Sequence, residues 1–194
     1  MNPEAVDGRT ARREKSRQQI IDAMVELVTD GKHDPTAENV ARIAGVTMRT
    51  VFRHFEDMDS LYREIIVDIE TQTEALRVPF DPDRDWRPQF DELVLRRTGI
   101  FEKLMSQILW TQSSRYKSEV VDTDVQKYAK RMRQSLRRTL PGHFVADVEA
   151  FSAVEAMLSS EIWIRLRRDQ RLSVKRATGV IQKATAAILK DSGL

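Results

Sequence analysis

The chain has 194 residues, 41% hydrophobic and 32% charged, with a formal net charge of only +2. That is enough apolar material for a real core, which excludes wholesale disorder, and too little net charge for a polycation that coats nucleic acid. The absence of cysteine removes disulfides, thiol catalysis and cysteine-based zinc sites, and no apolar run approaches the roughly 20 residues of a membrane span.

Glycine (7) and proline (6) are scarce and β-branched runs are few, so the expected fold class is all-α. Residues 1–10 read as a flexible tail, and the N-terminal stretch MNPEAVDGRTARREKSRQQ as a whole is basic but lacks the apolar core of a signal peptide. Together with the missing membrane span this predicts a soluble, cytoplasmic protein. From about Thr10 to Thr29 the pattern is helical, with Ile20, Ile21, Met24, Leu27 and Val28 on one stripe. Its first turns carry Arg12, Arg13, Lys15 and Arg17 against Glu14 alone. Gly31 ends this helix, and His33-Asp34-Pro35 forms a polar loop.

The segment Thr36–Phe55 reads as a helix, a sharp turn and a second helix. Ala41 allows close approach of the two helices, and Gly45 can take the left-handed conformation that reverses the chain. Val46 and Val51 supply the apolar contacts between them, and Thr47 is a good N-cap for the second helix. No acid occurs from Val40 through Phe55. Asp57 can cap a fourth helix, with Asp59 in its first turn and an apolar face of Leu61, Tyr62, Ile65, Ile66 and Ile69 reaching about Ala75. Pro79-Phe80-Asp81-Pro82 is the clearest break. Further helices are expected near 84–113, 119–139, 145–169 and 173–190. The chain therefore divides into a basic arm and helix-turn-helix over 1–57 (motif 36–55), a connecting helix over 58–78, and a larger C-terminal region over 79–194.

At roughly 100° per residue, with Val51 facing the core, Arg49 and Arg53 both point almost directly outward. Phe52 and Thr50 flank them, while Thr47, Met48 and Phe55 fall nearer the core. Such a helix suits the DNA major groove. Arg49 can donate two bonds to guanine, and Arg53 can read a base or bind phosphate. Thr50, His54 and the helix N-terminal amides suit phosphate oxygens.

The run IIDAMVELVTDGKHDPTAENVARIAGVTMRTVFRHFEDMDSLYREII resembles the DNA-binding region of the TetR (tetracycline repressor) family of bacterial regulators. The resemblance rests on a helix ending near Gly31, Thr36, the Ala41…Ala44-Gly45-Val46-Thr47 turn, Thr50-Val51-Phe52-Arg53-His54-Phe55, and a following helix that carries Leu61. It assigns candidate DNA contacts to Arg12, Arg13 and Lys15 of the arm, to Thr36, and to Thr47, Met48, Arg49, Thr50, Phe52, Arg53 and His54. Two positions depart from the family pattern. Phe52 stands where Tyr often reaches a phosphate, and Met58 where Lys is common. Arg49 occupies a position often held by a small residue, which points to a specificity of its own.

For the C-terminal region the resemblance implies an unknown small-molecule effector and a homodimer that reads a palindromic double-stranded operator. Pocket candidates are Phe101, Met105, Trp110, Tyr116, Phe144, Phe151 and Trp163, although aromatic residues at helical spacing are ordinarily core. Dimer candidates form two stripes: Val154, Met157, Leu158, Ile162 and Leu166, then Val174, Ala177, Val180, Ile181, Ala184 and Ile188. Periodicity alone leaves open whether these stripes cover the chain's own core or a second copy.

Two other classes compete. Catalysis has little to stand on: His33, His54 and His143 lack metal-ligand spacing, and no phosphate loop or nucleophile elbow occurs. Carboxylate pairs such as Asp81/Asp83 and Asp122/Asp124 read as loop or capping residues. No enzyme activity, metal or cofactor is therefore expected. The alternative within binding functions is a helical interaction module whose basic face meets an acidic protein. By resemblance, a repressor is favoured over an activator.

Overall fold

Eleven α-helices follow one another in a computed structural model that describes residues 3–32, 34–74 and 79–194. They are α1 (Pro3–Thr29), α2 (Ala37–Ala44), α3 (Met48–His54), α4 (Met58–Glu74), α5 (Trp86–Lys103), α6 (Met105–Ser114), α7 (Glu119–Thr139), α8 (Gly142–Ala146), α9 (Val148–Met157), α10 (Ser160–Ile164) and α11 (Val174–Asp191). A π-helical turn, Arg165–Asp169, extends α10. No β-strand occurs among the described residues, so the fold is all-α. His33 of the polar loop and Ala75 at the expected end of the fourth helix lie outside the described residues.

The helices form two compact units. The first takes residues up to 72 together with 106–125; the second takes 73–105 and 126–194. Residues 106–125 thus group with the N-terminal unit rather than with the region 79–194 to which the sequence division assigns them.

In the first unit the apolar stripe of α1 buries Ile20, Met24, Leu27 and Val28 against Val40 and Ala41 of α2, Val51 of α3, and Leu61, Ile65 and Ile66 of α4. Each of the Val, Leu, Ile and Met side chains among them contributes about 1.5–3 kcal/mol by leaving water. Trp110 of α6 and Val121 of α7 complete the same cluster. Polar ties hold these later segments in place. Gln107 donates to the Thr29 hydroxyl at 3.4 Å, Ser118 to Asp59 at 2.7 Å, and Lys117 pairs with Asp34 at 2.8 Å.

The first helix is longer than expected, since residues from Pro3 onward join it instead of forming a tail. Proline is well suited to a first helical turn, where its missing N–H would have no partner anyway.

In the second unit, Asp85 caps α5 by accepting from the Arg87 N–H at 3.2 Å. Buried Gln89 grips the preceding turn by accepting from the Asp81 N–H and donating to the Asp81 carbonyl, both at 2.9 Å. α5 packs on α10 and α11, and α9 on α8 and α11. Where one helix was expected over 84–113, the chain breaks at buried Leu104, next to the point where it passes from the second unit to the first. The expected helix over 145–169 is also divided. Ser159 starts α10 by accepting from the Ile162 N–H at 3.4 Å. Past it, the π-helical turn lets Arg167 form a fork on Glu102 (2.7 and 2.9 Å), a carboxylate that also accepts from the Trp163 indole at 3.2 Å. A single polar hub therefore joins α5, α10 and the π-helical turn.

Candidate nucleic-acid interface

The geometry of α2 and α3 is set by local hydrogen bonds that the sequence specifies. Thr36 and Asn39 form a reciprocal capping box at the start of α2. Gly45 ends α2 at φ 66°, and the Val46 N–H closes the turn on the Ala41 carbonyl at 3.0 Å. Thr47 caps α3, its hydroxyl accepting from the Thr50 N–H at 3.2 Å and lying 3.1 Å from the Thr50 hydroxyl. Asp57 caps α4 through the Ser60 N–H at 2.7 Å.

Space around Gly45 is open, with nothing within 4 Å of a Cβ placed there. Gly45→Ala is therefore expected to cost only the left-handed backbone strain, about 1–2 kcal/mol, and Gly45→Asn distinctly less. Urea unfolding midpoints check this; equal midpoints for glycine and alanine would show that the turn carries no strain.

α3 turns Val51 inward and packs on α1 and α2. Arg49 and Arg53 are exposed and Thr50 half-buried, as the helical angles predict. Met48 departs from expectation, being 47% exposed instead of near the core. It occupies the first position of a two-turn helix that inserts only Val51 and the following Phe55. Thr47 is likewise exposed, and Phe52 presents its ring to solvent at 45% exposure. Met58 is half-buried and packs against the core cluster.

The N-terminal part of α1 runs beside the far end of α3. Arg12, Arg13 and Ser16 share one concavity with Arg53. Ser16 had no signal in the sequence pattern. Lys15 and Thr36 are exposed but do not line this concavity. Arg17 turns the other way, pairing with Glu64 of α4 at 2.5 Å and lying 5.2 Å from the centre of the Phe55 ring. It anchors α1 and does not line the concavity that holds Arg12 and Arg13.

His54 is half-buried, and its Nε2 is buried without a hydrogen-bond partner among the described residues. A phosphate contact from His54 would therefore use Nδ1. Burial, then the charges of Arg53, Arg13 and Arg17, hold its pKa below the ordinary histidine value, with Glu14 opposing weakly. Because the folded state disfavours the imidazolium, the unfolded chain takes up the proton first. Stability contributed by neutral His54 is present above the ordinary value of about 6.5 and is lost as pH falls through the depressed one. Thermal melts at pH 7.5 and 5.5 should show a smaller acid-induced loss in His54→Gln than in the parent chain; identical losses would refute this.

The pocket candidates fall in both units. Trp110 is fully buried in the core of the first, and Tyr116 is 87% exposed there, with Arg115 stacked on its ring. Phe101, Phe144, Phe151 and Trp163 are buried in the second unit, and Met105 is half-buried. Arg133 and Arg137 lie 4.9 and 5.1 Å from the centre of the Phe151 ring. Of the dimer candidates, Val154, Leu158, Leu166, Ala177 and Ile181 are buried within the single chain. Val174 and Val180 are exposed, and Met157, Ile162, Ala184 and Ile188 half-buried.

A crystal structure of a TetR transcriptional regulator from Rhodococcus sp. RHA1 superposes with a TM-score of 0.54, covering 91% of this chain and 97% of that one at 18% identity. The chain has the TetR fold. Among curated proteins, the HTH-type transcriptional regulator SrpR of Pseudomonas putida is 35% identical over 81 residues, 39% of this chain. The match spans 37% of SrpR's own length. No protein-family model matches the chain. Within the TetR fold, α2 and α3 are the helix-turn-helix and the concavity beside Arg53 flanks its second helix.

Proposed function

We propose that the chain is a DNA-binding transcriptional regulator of the TetR family, a ligand-responsive repressor that binds a palindromic operator as a homodimer in the cytoplasm. One observation carries the DNA reading. The exposed, acid-free face of α3, with Arg49 and Arg53, is continuous with Arg12 and Arg13 around a single concavity. The α3 N-terminus offers amides for phosphate, Arg49 a fork for a guanine edge, and the concavity a second phosphate seat. The resemblance to SrpR and to the Rhodococcus regulator supports the same reading.

One α3 reads too few base pairs for strong specificity, so two copies on half-sites about 34–36 Å apart are required. The outward residues of α9 and α11, including Val174 and Val180, are the part of the proposed seam available to a second chain. An effector that favours one helix arrangement would change the separation of the two heads and release the operator.

Selection of bound sequences from random duplex DNA, followed by affinity at several salt concentrations, tests the reading. A palindromic site bound far more tightly than random DNA, with a steep salt dependence, is the expected result. Absence of any preferred duplex, combined with tight binding to an acidic protein, would replace it with the interaction-module reading. Sedimentation velocity tests the homodimer, and a promoter-reporter assay separates repression from activation.

A further inference from the structure

Arg97 lies on the inward face of α5, one turn from Leu93 and Val94 on one side and Phe101 on the other, and is only 4% exposed. A guanidinium at such depth ordinarily has a carboxylate partner. Here the nearby acids of its own helix are committed elsewhere: Glu92 to Arg84 and Glu102 to Arg167. Glu155 of α9 is committed to Arg133. Among the described residues, the hydrogen-bond partner of Arg97 is the Met132 carbonyl of α7, which accepts from Nη2 at 2.5 Å. The ionisable groups acting on it are Tyr128 and a second arginine, Arg96, and burial pushes its pKa down to about 10. Arg96, half-buried beside it, is also shifted down by burial.

One neutral acceptor does not offset the burial of a full charge, and guanidinium has five N–H donors to place. A tie to a helix carbonyl alone could be made by a neutral amide at lower cost. What a planar fork adds is recognition of a two-oxygen anion. Its neighbours along α5 are apolar, so an anion reaching it would carry an apolar body.

We propose that Arg97 is the anchor of a binding site for a small apolar molecule bearing a carboxylate. As the site of the effector, it rests on the ligand-responsive reading above; as an anion site it stands separately.

The test uses the full chain and two matched probe pairs, octanoate with octanamide and benzoate with benzamide, at constant ionic strength. At least one carboxylate should raise Tm by about 3 °C or more, while its amide does not. Arg97→Met should lose that response. Its probe-free Tm should equal or exceed that of the parent chain, because a buried charge with no carboxylate partner among the described residues has been removed. Arg97→Lys keeps the charge without the fork and should weaken carboxylate binding at least about tenfold, which keeps the test decisive if the methionine variant does not fold. Equal shifts from acid and amide, no shift from either acid, or an undiminished response in both variants would overturn the proposal. Operator affinity is measured apart from these melts. A carboxylate response that leaves it unchanged supports the anion site and removes only the effector reading. A missing carboxylate response overturns the site and leaves DNA binding to its own test.

Discussion

Trp110→Ala is expected to lower the unfolding free energy of the N-terminal unit by about 3–5 kcal/mol and, with so much of the core lost, to abolish operator binding at growth temperature. Trp110 comes from α6, far along the chain from the helix-turn-helix, yet it is fully buried in one cluster with Ile20, Met24, Val40, Val51 and Leu61. Its ring meets Tyr62 edge-on, with centroids 5.3 Å apart and planes at 71°, an arrangement worth roughly 0.5–1.5 kcal/mol beyond area burial. The indole Nε1 is buried with no hydrogen-bond partner among the described residues. Trp110→Phe therefore keeps much of the apolar contact while removing an unsatisfied donor, and should cost far less than the alanine change. Urea unfolding followed by far-UV circular dichroism measures both. An alanine variant within about 1 kcal/mol of the parent chain would show that α6 is not part of this core, since buried Trp→Ala changes cost several times that.

On a selected operator, Arg49→Ala should relax base preference at one position of each half-site, at a cost of about 1–3 kcal/mol there. Arg49 is exposed at the second position of α3, where the first turn of a recognition helix meets base edges. Arg53 sits one turn later beside Arg12 and Arg13, a grouping suited to phosphate. Arg12→Ala and Arg13→Ala should weaken binding to all sequences alike and reduce the salt slope by about one each. A repeat of the sequence selection with each variant separates the two classes. Uniform weakening by Arg49→Ala, with its base preference intact, would reassign that residue to the backbone.

Why these two predictions differ in origin is physical. The second was legible in the sequence because capping and helical direction act over three or four residues. Thr47 meets Thr50, Gly45 follows Ala41 and Arg42, and Asp57 meets Ser60. Met48 deviates because a two-turn helix inserts fewer side chains than its full apolar arc suggests. The first prediction had no local signal. Trp110 falls on an apolar stretch that suits a C-terminal pocket equally well, and only its packing on Tyr62 assigns it to the N-terminal core. The same limit applies to Val154, Leu158 and Ile181, whose spacing marks an apolar face without saying that the chain covers it itself.

Arg97 is the sharpest case: Leu93, Val94 and Phe101 place it on the apolar face of α5, but a long arginine on such a face ordinarily carries its charge out to water, and the sequence does not say that this one stays covered. By itself, the sequence determined the all-α class, the helix-turn-helix with its turn at Gly45, and the outward arginines of α3, because each follows from contacts within about one helical turn. Tertiary structure alone decided that α6 joins the unit that carries the helix-turn-helix, that part of the proposed seam is turned inward, and that Arg97 lies buried against the Met132 carbonyl. Burial depends on partners tens of residues away, and the helical period shows which face is apolar, not which surface meets it.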